Sequence, residues 1–246
     1  MINIVIGSFK GGVGKSTIAL NFAYELSKNF KALLVDTDPQ NSIAHFLCKD
    51  FKEGFSEVLI SEASFDRVVQ KVLLDSGDLD FIPTGLLSLK APELYEDKFN
   101  LEKIREFVRD ISTYDFVVYD TPPRISKHIE TLLEIADDFL VVLNPDPATF
   151  SSFIIFQQFI ESKNLTNKTH ILVNRTEPTK VSEDFSKMIS YLCGDKNLGL
   201  IPQDITVSDS QGHCKPTVLY NPTCPFSIYV KKTLDKYLLV KGIRRS

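Results

Sequence analysis

The chain has 246 residues, of which 43% are hydrophobic and 24% charged, and its formal net charge is −4 at pH 7. This composition predicts a soluble globular protein with room for one large α/β domain, and it excludes a uniformly basic nucleic-acid binder. No apolar run approaches the ~20 residues that cross a bilayer. Because a strand is predicted from residue 2, we expect no signal peptide or N-terminal accessory domain, and a cytoplasmic protein.

Apolar runs of strand length alternate with helical patterns along most of the chain. The predicted strands are Ile2–Ile6, Ala32–Val35, Leu79–Ile82, Phe116–Tyr119, Phe139–Leu143, Ile171–Val173 and Leu198–Ile201. The predicted helices span 15–29, 99–111, 126–136, 148–162, 180–192 and 225–239, and the segment 40–98 is predicted to hold short helices and one strand. Strands without polar alternation that alternate with helices indicate a mostly parallel, twisted sheet with helices on both faces. We expect one domain over residues 1–246.

A glycine-rich loop, Lys-Gly-Gly-Val-Gly-Lys-Ser-Thr at residues 10–17, joins the first strand to the first helix. It follows the phosphate-binding pattern G-x-x-x-x-G-K-[ST], except that Phe9 stands at the first glycine and Lys10 is an additional lysine. Lys15 is predicted to reach the β- and γ-phosphates, and the Ser16 hydroxyl to bind Mg²⁺. Backbone N–H groups can surround phosphates only where no Cβ blocks them. The predicted nucleotide-binding residues of this P-loop NTPase are Gly11, Gly12, Val13, Gly14, Lys15, Ser16 and Thr17.

Polar side chains follow three other predicted strands, at the sheet edge where α/β proteins bind ligands. Asp36 and Asp38 follow Ala32–Val35, and two carboxylates there are costly unless they serve a cation or a water. Asp120 ends an apolar strand, which is the Walker B arrangement that holds Mg²⁺. Asn174 and Pro202 follow later strands and could frame an adenine ring. By themselves, these last two residues are more typical of ordinary loops.

Three stretches together, Lys-Gly-Gly-Val-Gly-Lys-Ser-Thr, Val-Asp-Thr-Asp-Pro-Gln and Val-Val-Tyr-Asp-Thr-Pro-Pro, resemble the ParA family of deviant-Walker ATPases, which segregate plasmids and chromosomes. The similarity runs nearly end to end, and residues 201–222 look like the closing segment of that family. The predicted lack of an N-terminal extension resembles its short members, which have no helix-turn-helix.

The resemblance implies roles for the site residues. Lys10 would cross a dimer interface to the partner subunit's ATP, Lys15 would hold the phosphates, and Asp38 would orient the attacking water. Ser16, Asp38 and Asp120 would serve Mg²⁺, and Asn174 and Pro202 match adenine-contacting positions. The implied cofactors are ATP or ADP with Mg²⁺. The implied partners are a second copy of the chain bound through ATP, non-specific DNA, which makes the protein nucleoid-associated, and a centromere-binding ParB-like protein that stimulates hydrolysis.

The expected DNA-binding surface departs from that family. Its members often carry arginines around the Ile-Pro segment, where this chain has Gln203 and Thr206. Residues 225–246 carry a net charge of +5, which leaves −9 on the remainder. A basic helix and tail can bind a polyanion, although a solvated helix face has the same composition. We therefore assign the DNA contacts to Lys231, Lys232, Lys236, Arg244 and Arg245.

Three other functions use the same kind of fold. A MinD-like ATPase would bind membrane through an amphipathic C-terminal helix, but the end of this chain is short and contains Gly242, so no stable membrane association is expected. A reductase or metal-cluster carrier would need bridging cysteines. We expect all four cysteines (Cys48, Cys193, Cys214 and Cys224) to be free thiols. A small-molecule enzyme such as a biotin-pathway synthetase has no supporting feature in the sequence.

Overall fold

The computed structural model describes residues 1–74, 77–123 and 126–244, with the backbone alone at Leu74, Gly77, Phe150 and Ser151. Its strands form one eight-stranded sheet in the order β3-β4-β2-β5-β1-β6-β7-β8. Only the edge pair β3–β4 is antiparallel. The strands are β1 (Ile2–Gly7), β2 (Ala32–Asp36), β3 (Gln70–Leu74), β4 (Gly77–Ile82), β5 (Phe116–Asp120), β6 (Asp138–Leu143), β7 (Thr169–Thr176) and β8 (Asn197–Pro202).

Helices connect the strands and cover both faces of the sheet. Several begin at a Ser, Thr, Asp or Asn whose side chain accepts the backbone N–H three residues on, as at Asn100, Ser126 and Thr179. The helices are α1 (Lys15–Ser27), α2 (Ser42–Phe46), α3 (Phe55–Ser61), α4 (Phe65–Val68), α5 (Leu87–Lys90), α6 (Pro92–Lys98), α7 (Leu101–Asp110), α8 (Lys127–Ile135), α9 (Pro147–Ser162), α10 (Lys180–Cys193), α11 (Thr206–Gly212), α12 (Thr217–Tyr220) and α13 (Pro225–Val240).

The core lies on both sides of the sheet because successive strand residues point to opposite faces. Ile4 and Ile6 of β1 pack with α1 and α13, whereas Val5 packs on the other face with α7, α8 and α9. Strands buried on both faces explain the continuous apolar runs in the sequence. The predicted α/β fold with a mostly parallel sheet is therefore confirmed. The prediction of one strand in the segment 40–98 is wrong. The segment contains two strands, β3 and β4, which pair with each other at the sheet edge.

The expectation of four free thiols is wrong for two of the cysteines. Cys48 and Cys214 form a disulfide across a sequence separation of 166 residues, while Cys193 and Cys224 are free. The pairing follows from tertiary packing, since α2 and α12 both pack on the same face of the sheet as α1. No short-range cysteine spacing in the sequence could have indicated it. Within the described ranges, no helix combines the length and apolar character that crossing a membrane requires.

Candidate nucleotide site

The phosphate loop leaves the centre of the sheet after β1 and enters α1 at Lys15. Gly14 has a φ of 93°, and a Cβ there would lie 2.4 Å from Nδ2 of Asn174. That amide group donates a hydrogen bond of 2.8 Å to the carbonyl oxygen of Val13. The end of β7 therefore holds the backbone of the loop, and glycine at position 14 is required both by conformation and by this close approach.

The first residues of the loop dock onto α9. The ring of Phe9 lies 4.4 Å from that of Phe156, measured between centroids, which accounts for an aromatic residue where the general pattern has glycine. The Lys10 ammonium is half-exposed and lies 3.2 Å from Oδ2 of Asp146. Asp146 also caps α9, because its Oδ1 accepts the Thr149 N–H at 2.7 Å. The additional lysine thus stands at the outer edge of the loop and not among the buried carboxylates.

Three carboxylates meet at the ends of β2 and β5. Asp36 and Asp120 are directly paired in the register of these strands, and both are fully buried. Asp36 accepts the backbone N–H groups of Asp38 at 2.9 Å and Ile43 at 3.4 Å, so it caps the start of α2. Neither carboxylate oxygen of Asp120 has a hydrogen-bond partner among the described residues. Asp120 is therefore the group in this cluster that needs an external partner.

The charges and pKa values of the three carboxylates also favour an external cation. Burial raises the pKa of Asp120 to about 7, although the charge of the Lys15 ammonium opposes the rise. Burial and the neighbouring Asp120 charge raise the pKa of Asp36 well above its ordinary value. Burial also raises the pKa of Asp38, again against Lys15. The Lys15 charge thus acts on Asp38 and Asp120 but not on Asp36, and a divalent cation would supply the missing positive charge.

The donor set fits magnesium. Mg²⁺ prefers oxygen ligands and keeps several waters, so a hydroxyl and one or two carboxylates are enough protein ligands. Ser16 and Asp120 offer these oxygens at the loop, with Asp38 beside them. No group of three or more acidic, cysteine or histidine side chains in the described part of the chain is arranged to enclose a metal by itself. This is the arrangement expected when substrate phosphates complete the coordination.

Residues that sequence reasoning missed hold the loop that carries Asp38. The Thr84 hydroxyl donates to the carbonyl oxygens of Asp38 at 2.6 Å and Asp36 at 3.0 Å. The Tyr95 hydroxyl donates to the carbonyl oxygen of Thr37 at 3.1 Å. Both residues lie in the irregular segment between β2 and β5, where no periodic pattern or motif marks a single hydroxyl. The two hydroxyls therefore hold the backbone of the loop that carries Asp38.

A cavity of about 380 Å³ opens beside the loop, and the structure brings both predicted adenine residues into its lining. Asn174 and Pro202 line it together with Gly14 and Thr17. Other residues of its lining are Gln203, Asp204, Ile205, Val207 and Ser208. A larger, shallower hollow of about 750 Å³ lies against α10, but it contains none of the predicted site residues. Of these two cavities, the smaller one adjoins the phosphate loop, because Gly14 and Thr17 line it.

The predicted DNA-binding cations lie elsewhere. Lys231, Lys232 and Lys236 lie on α13, Arg244 follows it, and none of them lines the cavity beside the loop. Lys236 donates to the Asn197 carbonyl oxygen at 2.7 Å, while Lys232 lies over the ring of Tyr229. Lys232, Lys236 and Arg244 are exposed and Lys231 is half-buried. Arg245 falls outside the described residues.

Comparison with known proteins places the chain in a family. The family described as AAA domain matches residues 1–173, which includes the phosphate loop and all three carboxylates. A ParA family protein of Chlamydia trachomatis is 28% identical over 99% of this chain and 100% of its own length. The chromosome-partitioning ATPase Soj of Treponema pallidum is 26% identical over 90% of each chain.

Solved structures show the same fold. A Borrelia burgdorferi protein described as a plasmid partition protein and bound to AMPPNP superposes with a TM-score of 0.79 at 24% identity, over 97% of this chain and 99% of its own. The septum site-determining protein MinD of Pyrococcus horikoshii, complexed with Mg-ADP, gives a TM-score of 0.79 at 19% identity, over 98% and 97% of the two chains. The AAA domain family matches most of the chain, including the phosphate loop after β1, and a ParA family protein matches nearly all of it. The chain therefore belongs to the AAA domain family and, within it, to the ParA proteins.

Proposed function

We propose that this protein is an Mg²⁺-dependent ATPase that dimerises on ATP, binds DNA without sequence preference, and leaves DNA after hydrolysis stimulated by a centromere-binding partner. In the cytoplasm, this cycle on the nucleoid would separate plasmid or chromosome copies. The names of the relatives support the partition role, since one is a chromosome-partitioning ATPase and another a plasmid partition protein. The nucleotides bound to structural neighbours, AMPPNP and Mg-ADP, support ATP with Mg²⁺ as the ligands.

The observation that carries the proposal is the contrast between the two lysines of the loop. Lys15 is buried and lowers the pKa values of Asp38 and Asp120, whereas Lys10 is half-exposed and paired with Asp146. One subunit needs only Lys15 for its own phosphates. The half-exposed Lys10 could instead bind the phosphates of a second nucleotide that approaches the loop from outside this subunit. A second copy of the chain brings such a nucleotide, and the added cation then stabilises the dimer only while ATP is bound.

The carboxylates support hydrolysis by positioning rather than by covalent chemistry. When bound, Mg²⁺ would neutralise charge that develops on the transferred phosphoryl group. Ser16 and Asp120 would hold it, while Asp38 would orient the attacking water from the loop held by Thr84. Neither an arginine finger nor a catalytic glutamine is evident in the sequence, so we expect slow basal turnover until a partner binds.

The deciding experiment measures binding of non-specific duplex DNA by the Asp38→Ala protein across a salt series. It is run with ATP–Mg²⁺ and again with ADP–Mg²⁺, because the variant should hold ATP without turning it over. Tight binding with ATP alone, weakening steeply with salt, supports the proposal, since phosphate contacts release counterions. An ATP-bound dimer that binds no DNA contradicts it. The variant Lys232→Ala/Lys236→Ala, compared with Lys103→Ala on α7, then tests whether α13 supplies the contacts.

A second candidate is a MinD-like ATPase that binds a membrane surface. The specific observation in its favour is that Leu239 and Val240, at the end of α13, are 79% and 56% exposed beside basic residues. An interfacial helix uses such apolar side chains with nearby lysines and arginines. Sedimentation of the protein with anionic liposomes in ATP–Mg²⁺ separates the two functions. Co-sedimentation that Leu239→Ser abolishes would favour the membrane.

A further inference from the structure

Cys48 and Cys214 meet just after the ends of α2 and α11. Their Cα atoms are 5.5 Å apart, within the range that a disulfide spans without backbone movement. Cys48 follows the end of α2, and Cys214 lies between α11 and α12. Ile43 of α2 and Val218 of α12 belong to the same buried cluster as α1, so packing against one helix brings the two sulfur atoms together.

Both cysteines have a backbone conformation that favours glycine. The φ angle is 50° at Cys48 and 57° at Cys214, in the left-handed region. In each case the next amide bonds back to the preceding helix: Lys49 N–H donates to the Ala44 carbonyl oxygen, and Lys215 N–H to that of Ser210. Glycine is the usual residue in this helix-ending motif because a Cβ strains it. Two cysteines stand where glycine is favoured, and they are bonded to each other. We take this as an indication that the disulfide itself has a function.

The surroundings of this pair suit reversible chemistry. Cys48 is exposed and Cys214 is partly exposed, so small thiols can reach the bond. Disulfides within reducing compartments are usually transient rather than structural, which agrees with an accessible pair.

We propose that Cys48 and Cys214 are a reversible redox pair, and that their disulfide slows the release of bound nucleotide by joining two helices that are tied to the site. The first helix is α2, whose start is bonded to Asp36, because Asp36 accepts the N–H groups of Ile43 and of Asp38. The second is α11, which supplies Val207 and Ser208 to the cavity beside the phosphate loop. Gln211 of α11 also donates to the Thr17 hydroxyl at 3.3 Å. The effect on release rests on the proposed function, because it assumes that this cavity holds a nucleotide.

A small-molecule disulfide such as oxidised glutathione can oxidise the two protein thiols. One protein thiolate attacks a sulfur of the glutathione disulfide and releases one glutathione thiolate. The second protein thiolate then attacks the resulting mixed disulfide, forms the Cys48–Cys214 bond and releases the second glutathione. Two electrons pass from the protein to the small disulfide, and the two protein protons end on the released glutathione. An excess of reduced glutathione runs the same steps backwards.

The test uses the full chain, equilibrated under native conditions with an excess of oxidised or of reduced glutathione. Free thiols are counted with a thiol reagent after the sample has been acid-quenched and unfolded, so that buried thiols react as well. Dissociation of a fluorescent ADP with Mg²⁺ is followed in the native protein after adding unlabelled ADP. The variants are Cys48→Ser and Cys214→Ser. Cys193→Ser is the matched control, because Cys193 is free and burial raises the pKa of its thiol to about 11. Reduced wild-type protein serves as a second comparison if either serine variant folds poorly.

We expect four reactive thiols after reduction and two after oxidation, and ADP release about fivefold slower in the oxidised protein, the lower end of usual coupling between sites. The Cys48→Ser and Cys214→Ser proteins should release ADP rapidly in both states, and Cys193→Ser should behave as wild type. A bond that does not form with oxidised glutathione, or that reduced glutathione cannot open, overturns the redox pair. Equal release rates overturn the effect on nucleotide. Failure to bind ADP in either state overturns the proposed function and that effect, while the thiol counts still decide the redox pair.

Discussion

The Lys10 ammonium lies 3.2 Å from Oδ2 of Asp146, and the other oxygen of this carboxylate caps helix α9. Burial of Asp146 tends to raise its pKa, but the Thr149 amide and Lys10 hold that pKa below its ordinary value. In the proposed dimer, Lys10 would have to leave Asp146 to reach the partner subunit's nucleotide. The ion pair therefore competes with the ATP-bound dimer.

The Asp146→Asn protein should dimerise at a lower ATP concentration, because asparagine keeps the helix cap but loses the charge. Half-exposed ion pairs are weak, so the shift should be about twofold to fivefold. Sedimentation velocity over an ATP titration measures it. Glu62→Gln, which removes the exposed Glu62–Lys103 pair, is the matched control and should leave the titration unchanged. An unchanged midpoint in Asp146→Asn would mean that the pair does not oppose dimerisation.

Replacing either loop lysine should separate the roles of the two. Lys15→Ala should lose tight nucleotide binding, since this buried ammonium is the cation nearest to the carboxylates. Lys10→Ala should bind ATP nearly as well as wild type but stay monomeric, because its charge acts only across the interface. Equilibrium binding and sedimentation of both variants measure these effects. A normal ATP dimer of Lys10→Ala would refute its assignment.

Asp38→Ala should hydrolyse ATP on the order of 10²-fold more slowly, the smaller effect expected for loss of a group that positions or activates water. Dimerisation on ATP should persist, because the phosphate loop is untouched. Phosphate release and sedimentation of one sample test both statements. Asp36→Asn is the control, since Asp36 caps α2 and its loss should lower thermal stability more than turnover. Normal turnover by Asp38→Ala would place water activation elsewhere.

The raised pKa of Asp120 makes the stability of the nucleotide-free protein depend on pH. The folded protein binds this proton more tightly than the unfolded chain does, so between the ordinary value of 3.8 and about 7 its stability falls as pH rises. Asp120→Asn should remove that loss and stabilise the protein by on the order of 1–3 kcal/mol at pH 8, the usual cost of one unsatisfied buried polar group. Thermal unfolding at pH 5 and pH 8 measures the change. A variant whose advantage is the same at both pH values would contradict this origin.

Gly14→Ala should damage the site more than Gly12→Ala. Both glycines have positive φ angles, 93° and 77°, so alanine strains the backbone at either position. Only at Gly14 would the new Cβ meet another atom, Nδ2 of Asn174 at 2.4 Å, whereas nothing lies within 4 Å at Gly12. Differential scanning fluorimetry with and without ADP–Mg²⁺ should show the larger loss for Gly14→Ala. Adding Asn174→Ala should recover part of its stability, and equal losses for both glycines would argue against the clash.

The fold was predictable because its signals are local and periodic. The centres of β1, β2, β5, β6 and β7 are mostly apolar and do not alternate with polar residues, as is typical of strands buried on both faces. The edge strand β3 escaped prediction because it is short, begins with Gln70 and Lys71, and leaves Leu73 exposed. Its identity depends on pairing with β4 rather than on composition.

The site was predictable to the extent that motifs mark it. The phosphate loop, Asp38 and Asp120 stand at strand ends, where the sequence alone places them. The Lys10–Asp146 pair and the Cys48–Cys214 bond join residues more than 130 positions apart, and only tertiary packing decides such contacts. Asp36 looked equivalent to Asp38 in the sequence. Its role as a helix cap became visible only from the direction of its hydrogen bonds.

The position of β1 in the middle of the sheet also has a consequence for synthesis of the protein. Although β1 is made before the other seven strands of the described sheet, Ile2 pairs with Phe116 and Ile4 with Asp138. Contacts between such distant residues form slowly, and here they must wait until β6 has left the ribosome. A growing chain therefore carries the phosphate loop long before it has a sheet to hold it. If the proposed function is right, an unfinished or truncated chain would be unable to capture ATP and could not compete with finished copies for a place in the proposed dimer.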